Sequence, residues 1–485
     1  MIDLKRLGRY RYEAIAFLTG ASVMTLEIVG ARLMSPKFGA STYVWTAMIG
    51  VILASMAVGF YLGGKLADRK DHAKFLGHTL LVAAVGVLMI SLYHEWFLGR
   101  VAALGLDLRL GALLSAILLF SLPSMLIGMV SPHLAKASVT SLETTGRSIG
   151  RLEAAGAVGS IAGTFACGYF LLGHFGSRSI VIGIAGLLLL TSLLAGRGAL
   201  TRQRLICAGL LALAAVAANA NPPSVLADVD TSYARYRVYE GRYAMEPVNM
   251  LLTDDSSIQS AVSKADPNAL VFTYTKAFYA AARSYGSPER VLVIGGGTHT
   301  FPSALVAGFP HVHVDVVEID PALDKLAVEY FGFKGSPRLQ IHHADGRAYL
   351  NTNGTAYDLI YMDAFSSLSP PFQLTTSQAV GRIHGSLTGG GAVVANIISR
   401  YDGGNDGYLR AAVTTYREHF RYVALAQAVP GHITGDARPN FMLFASDSKQ
   451  TFDKLLGSAP AGKLPLQPGG QVLTDDFAPV ERLLY

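Results

Sequence analysis

Cysteine is scarce. The 485 residues hold two, Cys167 and Cys207, both inside apolar runs. That excludes a disulfide-stapled scaffold and any metal site built on cysteine pairs. Charge is scarce too. Asp, Glu, Lys and Arg make up 15% of the chain, against about 25% in soluble domains. So little charge does not fit a coiled coil or a wholly water-soluble protein, and so apolar a chain is not disordered. Acids are outnumbered, 34 to 40, for a net charge of +6. Much of that basic excess flanks apolar runs, so it calls for no nucleic-acid partner.

What is abundant is apolar surface: 51% hydrophobic residues and a mean hydropathy of +0.36. Most long apolar runs precede Asn221, and ordinary globular sequence follows it. The expectation is two parts, a transmembrane helical domain over 1–221 and a soluble domain over 222–485. A spanning helix needs about 20 apolar residues. Seven candidate spans lie near 12–34, 44–66, 75–97, 110–134, 149–172, 180–194 and 205–218. The first carries Glu27 and is too long for a cleavable signal peptide.

Lys and Arg set the orientation. Lys5, Arg6, Arg9 and Arg11 precede the first span, and Lys65, Arg69, Lys70 and Lys74 follow the second. The alternate loops are poorer, one holding Lys37 and the next Arg100 and Arg109. This pattern predicts a multi-pass membrane protein with a cytoplasmic N-terminus. Seven spans then place the soluble domain on the far side, which in a bacterial inner membrane is the periplasm. Gly59 with Gly63, and Gly159 with Gly163, are small-residue steps suited to close helix contact. Pro123 and Pro132 are expected to kink the fourth span. Glu27, Arg32, Arg151 and Glu153 lie near span ends, where ion pairs or snorkelling are the simplest reading and an ion or substrate path the other.

From Tyr233 the pattern becomes strand-like, with short strands at 233–240, 248–253 and 257–262. These form a small β appendage, 231–265. A helix follows at 270–284. Strands then alternate with helices over a Rossmann-like core, 266–485, with strands at 290–294, 312–319, 339–342, 359–363, 391–397, 422–426 and 441–444. Such alternation predicts a mostly parallel doubly wound sheet. Its ligands bind at the carboxyl ends of the strands. Gly295 and Gly297 fall at the first such end, Glu318 at the second, Asp345 and Gly346 after the third, and Asp363 at the fourth. An acid about 20 residues past the glycines suits ribose hydroxyls. The turn reads Gly295-Gly296-Gly297-Thr298-His299-Thr300 and lacks the third glycine of the dinucleotide fingerprint. That favours an S-adenosylmethionine-type ligand over NAD. His299 reads as a solvated turn residue or a catalytic one. His311 with His313, and His342 with His343, lack a converging third ligand, so no metal is expected.

These residues carry a resemblance. The soluble half resembles spermidine synthase and its aminopropyltransferase relatives. The whole chain resembles bacterial fusions of a transporter-like membrane module to such a domain. The membrane part of the resemblance rests on Leu26-Glu27-Ile28, Arg32, Pro36, Gly39 and the run from Gly63 to Arg69. Leu473-Thr474-Asp475-Asp476-Phe477, near the C-terminus, adds to it. The resemblance implies that Gln259, Gly295, Gly297, Glu318, Asp345 and Gly346 bind the nucleoside. It implies that Asp363, helped by Tyr274, activates an amine acceptor. The co-substrate would be S-adenosylmethionine or its decarboxylated form.

Departures narrow this. The family's acid after the three glycines is Thr298 here, and its second acid, three residues past the catalytic one, is Ser366. Thr275-Lys276 replaces the usual His-Glu. A diamine needs carboxylate partners for both ammonium groups, so spermidine synthesis is doubtful. The leading expectation is a membrane-integrated transferase that alkylates a small or membrane-delivered amine. The alternatives are an S-adenosylmethionine-dependent methyltransferase, a transporter or scaffold with a ligand-sensing domain, and an assembly factor with a vestigial site. Homodimerisation stays open.

Overall fold

The computed structural model describes residues 4–39, 41–68, 72–139, 141–195, 201–218, 225–254, 257–365, 370–401, 407–429, 438–466 and 469–484. Asn221, Arg69 and Ser366 lie outside them. The chain divides into two compact units. The first is Met1–Pro223 with Asp228–Arg235, and the second is Ser224–Ala227 with Tyr236–Tyr485. The short return of Asp228–Arg235 to the helical unit was not foreseen.

The helical unit comprises α1 (Leu4–Phe38), α2 (Thr42–Ala67), α3 (His72–Ala102), α4 (Leu108–Gly128), α5 (Val130–Ser138), α6 (Thr145–Ala166), α7 (Leu172–His174), α8 (Ser177–Ala195) and α9 (Thr201–Ala218). Among the described residues six helices, not seven, are long and apolar enough to cross a membrane. The seventh expected span, 205–218, falls on α9, and its residues beyond Ala214 lie outside the described side chains. The glycine steps do bring backbones together. A Cβ on Gly159 would overlap the Phe17 carbonyl, and one on Gly63 would sit 2.7 Å from Met129 Cα. Pro123 lies inside unbroken α4, buried beside Gly86, and does not interrupt it. The break comes at Met129, between α4 and α5. Pro132 explains it, because proline lacks an N–H for the Gly128 carbonyl and its ring crowds that carbonyl.

Three of the four flagged charges are partnered. Arg32 pairs with Asp230 at 2.9 Å and donates to the carbonyls of Thr231 and Tyr233. Arg151 pairs with Glu13 at 2.7 Å, and Glu153 accepts from Ser131 Oγ. Glu27 differs. Helix α1 continues to Phe38, so Glu27 is about 16 Å from its end at 1.5 Å per residue. Its Oε2 is buried with no hydrogen-bond partner among the described residues.

After the helices comes a four-stranded sheet in the order β1-β2-β3-β4, β1 (Val225–Asp230), β2 (Arg235–Tyr243), β3 (Glu246–Thr253) and β4 (Ser257–Ser263), most of it in the second unit. It begins earlier than the expected appendage. Helix α10 (Thr273–Tyr285) leads into β5 (Arg290–Ile294), α11 (Thr300–Gly308), β6 (His313–Glu318), α12 (Ala322–Tyr330), β7 (Leu339–His343), α13 (Gly346–Thr352) and β8 (Tyr357–Met362). Then follow α14 (Ser377–Gly385), β9 (Leu387–Ile398), α15 (Gly407–Arg417), β10 (Tyr422–Gln427), β11 (Asn440–Ser446), α16 (Lys449–Gly457) and α17 (Val480–Leu484). His311 precedes β6, so it shares no strand face with His313.

The seven strands run β10-β11-β9-β8-β5-β6-β7. Neighbours from β9 through β7 are parallel, and β11 is antiparallel to both β9 and β10. Central strands read as continuous apolar runs because both faces are covered. In β5, Leu292 and Ile294 join one core with Ile360 and Val393, while Val291 and Val293 join the other with Leu359 and Val394. Alternation along each strand feeds the two layers. The chain leaves β5 and β8 in opposite directions along the sheet, to β6 and to β9. That makes the gap between their carboxyl ends the switch point where ligands bind in such sheets.

Candidate functional site

Packing at the switch point dictates glycine. Gly295 has φ +97° and Gly297 φ +52°, backbone shapes that L side chains rarely adopt. A Cβ on Gly295 would overlap the carbonyl of Asp363, and one on Gly297 would lie 2.9 Å from Ser260 Oγ. The Asp363 N–H donates to the Ile294 carbonyl at 2.8 Å. The glycine turn and the end of β8 are thus in backbone contact.

A cleft of about 370 Å³ opens there. Gln259, Tyr274, Gly295, Gly297 and Asp363, five of the eight expected site residues, line it. Thr275 lines it too, with its hydroxyl donated to the Phe272 carbonyl, while Lys276 is exposed. Gln259 Oε1 accepts from the Thr253 hydroxyl.

The other three expected residues lie outside the cleft lining. Glu318 is buried behind the turn. Its Oε2 accepts from the Gly296 and Gly297 amides at 2.9 and 3.0 Å, and its Oε1 accepts from the Asp320 amide. Burial raises its carboxyl above the ordinary range, and these three amides pull it back. Asp345 caps α13 by accepting from the Ala348 amide at 2.9 Å. Gly346 packs against Ile294, where a Cβ would sit 2.8 Å from its Cγ2.

Asp363 has the opposite environment. Asn396 Nδ2 donates to its Oδ1 at 2.9 Å, and the Tyr274 hydroxyl also bonds to it. Burial pushes its carboxyl up to about 7, and the two donors only partly oppose this. Burial and the neighbouring Asp363 raise Tyr274 well above the ordinary phenol range, so it stays a donor.

Asn396 and Asn440 were missed by sequence reasoning. Both line the cleft, and Asn440 Nδ2 donates to Asn396 Oδ1 at 2.9 Å. The legible signal was the apolar strand 391–397, which carries one amide among buried aliphatic residues. Arg438 was missed as well. Among the described lining residues it and Asp363 are the charged ones.

His299 is not a solvated turn residue. It is fully buried at φ +58°, and its Nε2 bonds Asp324 Oδ1 at 2.8 Å. His343 holds the other oxygen of Asp324 at 3.0 Å. The ring fixes the start of α11 rather than facing the cleft. Thr298 is buried, its Oγ1 has no hydrogen-bond partner among the described residues, and it is likewise not in the lining. Near the C-terminus, Asp475 closes a fork on Arg347 at 2.8 and 3.1 Å and accepts from Thr376. That motif clamps α13 to α14.

No family model matches the chain. A polyamine aminopropyltransferase of Vibrio vulnificus is 35% identical over 133 residues, 27% of this chain and 44% of that one. The human eEF1A lysine and N-terminal methyltransferase is 31% identical over 134 residues, 25% of this chain and 19% of that one. The matches thus span less than half the length of these curated relatives. The crystal structure of a probable spermidine synthase from Corynebacterium glutamicum is 23% identical, with a TM-score of 0.44, over 53% of this chain and 97% of that one. The chain thus carries a region similar to a polyamine aminopropyltransferase and to a protein methyltransferase.

Proposed function

We propose that the α/β unit is an alkyltransferase that uses S-adenosylmethionine or its decarboxylated form to modify an amine, and that the helical unit holds it at a bacterial inner membrane. The observation that carries this reading is Asp363: one half-buried carboxyl, held by Asn396 and Tyr274 and facing a cleft beside a glycine turn.

The donor supplies a carbon activated by sulfonium. The chain's residues supply the rest. Gly295 and Gly297 let the donor approach the backbone, and Gln259 contacts it from β4. Glu318 braces the glycine turn from behind through the Gly296 and Gly297 amides, while Asp345 and Gly346, outside the lining, set the start of α13 beside it. Asp363 takes a proton from the amine, which must be neutral to attack. A base with a pKa near the working pH does this best. As the new C–N bond forms, the C–S bond breaks and its electrons stay on sulfur, leaving a thioether. Tyr274 donates to Asp363 and fixes its orientation. No step calls for a metal.

The charges in the lining favour the carboxylated donor and argue against a diamine. Among the described lining residues, a diammonium acceptor would meet one acid and the Arg438 guanidinium, at a desolvation cost with too little compensation. S-adenosylmethionine brings a carboxylate that Arg438 suits. With six spans and a cytoplasmic N-terminus, the α/β unit would lie on the cytoplasmic side, where this donor is accessible. A reporter fused after Tyr485 tests that, and a periplasmic signal overturns it.

The functional test incubates the full-length, detergent-purified chain with either donor and putrescine, lysine or small monoamines, with products read by mass spectrometry. The reading expects a thioether nucleoside and an alkylated amine, with putrescine a poor acceptor. Binding of methylthioadenosine without any product would favour the sensing scaffold. Absence of binding would favour the vestigial site.

A further inference from the structure

Strand register places an amide ladder beside Asp363. Met362 pairs with Ala395, so the next residues, Asp363 and Asn396, lie side by side. In β11, Asn440 pairs with Ile398, two residues along β9 from Asn396, and reaches it on the diagonal. The result is a chain of two bonds: Asn440 Nδ2 donates to Asn396 Oδ1, and Asn396 Nδ2 donates to Asp363 Oδ1, each at 2.9 Å. Asn396 is 7% exposed, so it has little access to water as a replacement partner.

An amide has a donor end and an acceptor end, and only one can face Asp363. Asn440 engages the acceptor end. We propose that Asn440 is a positioning residue that acts on Asp363 through Asn396, by holding the donor end of the Asn396 amide toward the carboxylate. Turned over, Asn396 would offer a carbonyl oxygen, which suits a protonated Asp363 and repels an ionised one. The ladder therefore keeps the base in the form that accepts a proton. This inference rests on the reading of Asp363 as the proton acceptor.

The groups around Asp363 leave this orientation to the amides. Tyr274 of α10 donates to it, Tyr243 of β2 and Arg438 ahead of β11 line the same cleft, and Glu318 of β6 is engaged by amides behind the turn. No other acid lies in the described lining.

The test is the titration of Asp363 itself, read by pH-dependent infrared difference spectra of the full-length chain in detergent. The band to follow is the protonated-carboxyl band that disappears in Asp363→Asn. Asn440→Asp would draw the donor end of Asn396 to itself and present the carbonyl to Asp363. The expected midpoint rises by about one pH unit, tenfold in proton affinity. Asn440→Ala frees Asn396 to turn only when Asp363 is protonated, so the midpoint rises by less. If the Asp variant does not fold, the Ala variant carries the test alone. A midpoint that is unchanged or lowered overturns the ladder. If Asp363→Asn removes no band, the reading of Asp363 itself fails.

Discussion

Two acids end neighbouring parts of one sheet and look alike in sequence, yet the fold treats them differently. Glu318 closes β6 and accepts three backbone amides. Asp363 follows β8 and, among the described residues, meets the side-chain donors Asn396 and Tyr274. Backbone amides cannot swing away, so they bind Glu318 into the turn as part of its construction. Side chains leave Asp363 adjustable and facing the cleft. The lesson is that burial sets how costly an acid's charge is, while the kind of donor decides whether the acid builds the site or works in it.

The comparison can be broken at its joint. Gly295→Ala places a Cβ against the Asp363 carbonyl at a φ that alanine disfavours. It is expected to cost about 3 kcal/mol or more, from strain and displaced backbone together. Chemical denaturation would show it, and a melting curve like wild type would contradict the geometry. Glu318→Ala comes next. It leaves buried glycine amides unpaired, at about 1–3 kcal/mol. Stability and methylthioadenosine affinity should fall together, because that carboxylate braces the turn the ligand approaches. Loss of affinity at unchanged stability would mean that Glu318 serves only the ligand.

Asp363 sharpens the contrast through pH. Its folded-state carboxyl is raised to about 7 from an ordinary value of 3.8. Folding therefore favours its protonated form. The stability this gives is complete below pH 3.8 and is lost as pH rises through about 7. Asp363→Asn should flatten that part of the stability profile, as followed by thermal melts across the window. The smallest effect belongs to a third, solvent-facing acid. Asp475 pairs with Arg347 at 45% side-chain exposure, so Asp475→Asn should cost only about 0.5–1 kcal/mol and leave nucleoside binding intact. A larger loss would show that the C-terminal clamp supports the site.

Much of the α/β unit was legible because strand and helix periods differ and each apolar run had a turn after it. Gly295, Glu318 and Asp363 stood out for the same reason: a strand's end is visible in sequence. What the run of residues hides is register. Nothing in 391–397 or 440–446 says that Asn396 meets Asp363, because that contact depends on how three strands align. Burial was hidden as well, so His299 read as solvated when it is enclosed. In the helical unit, six of the seven expected spans fall on helices long and apolar enough to cross a membrane, because a long apolar run is visible in sequence. Glu27 was misplaced because α1 runs beyond the expected end at 34.

The central claim is that Asp363 accepts a proton in the transfer step and does not hold the nucleoside. It is tested most directly by measuring methylthioadenosine binding and single-turnover product formation side by side in the wild-type chain and in Asp363→Asn. The account predicts affinity within about twofold of wild type and product formation lowered by about 10²–10⁴-fold, the range for a lost general base. Product formation at the wild-type rate, or affinity lost in step with it, would contradict the account.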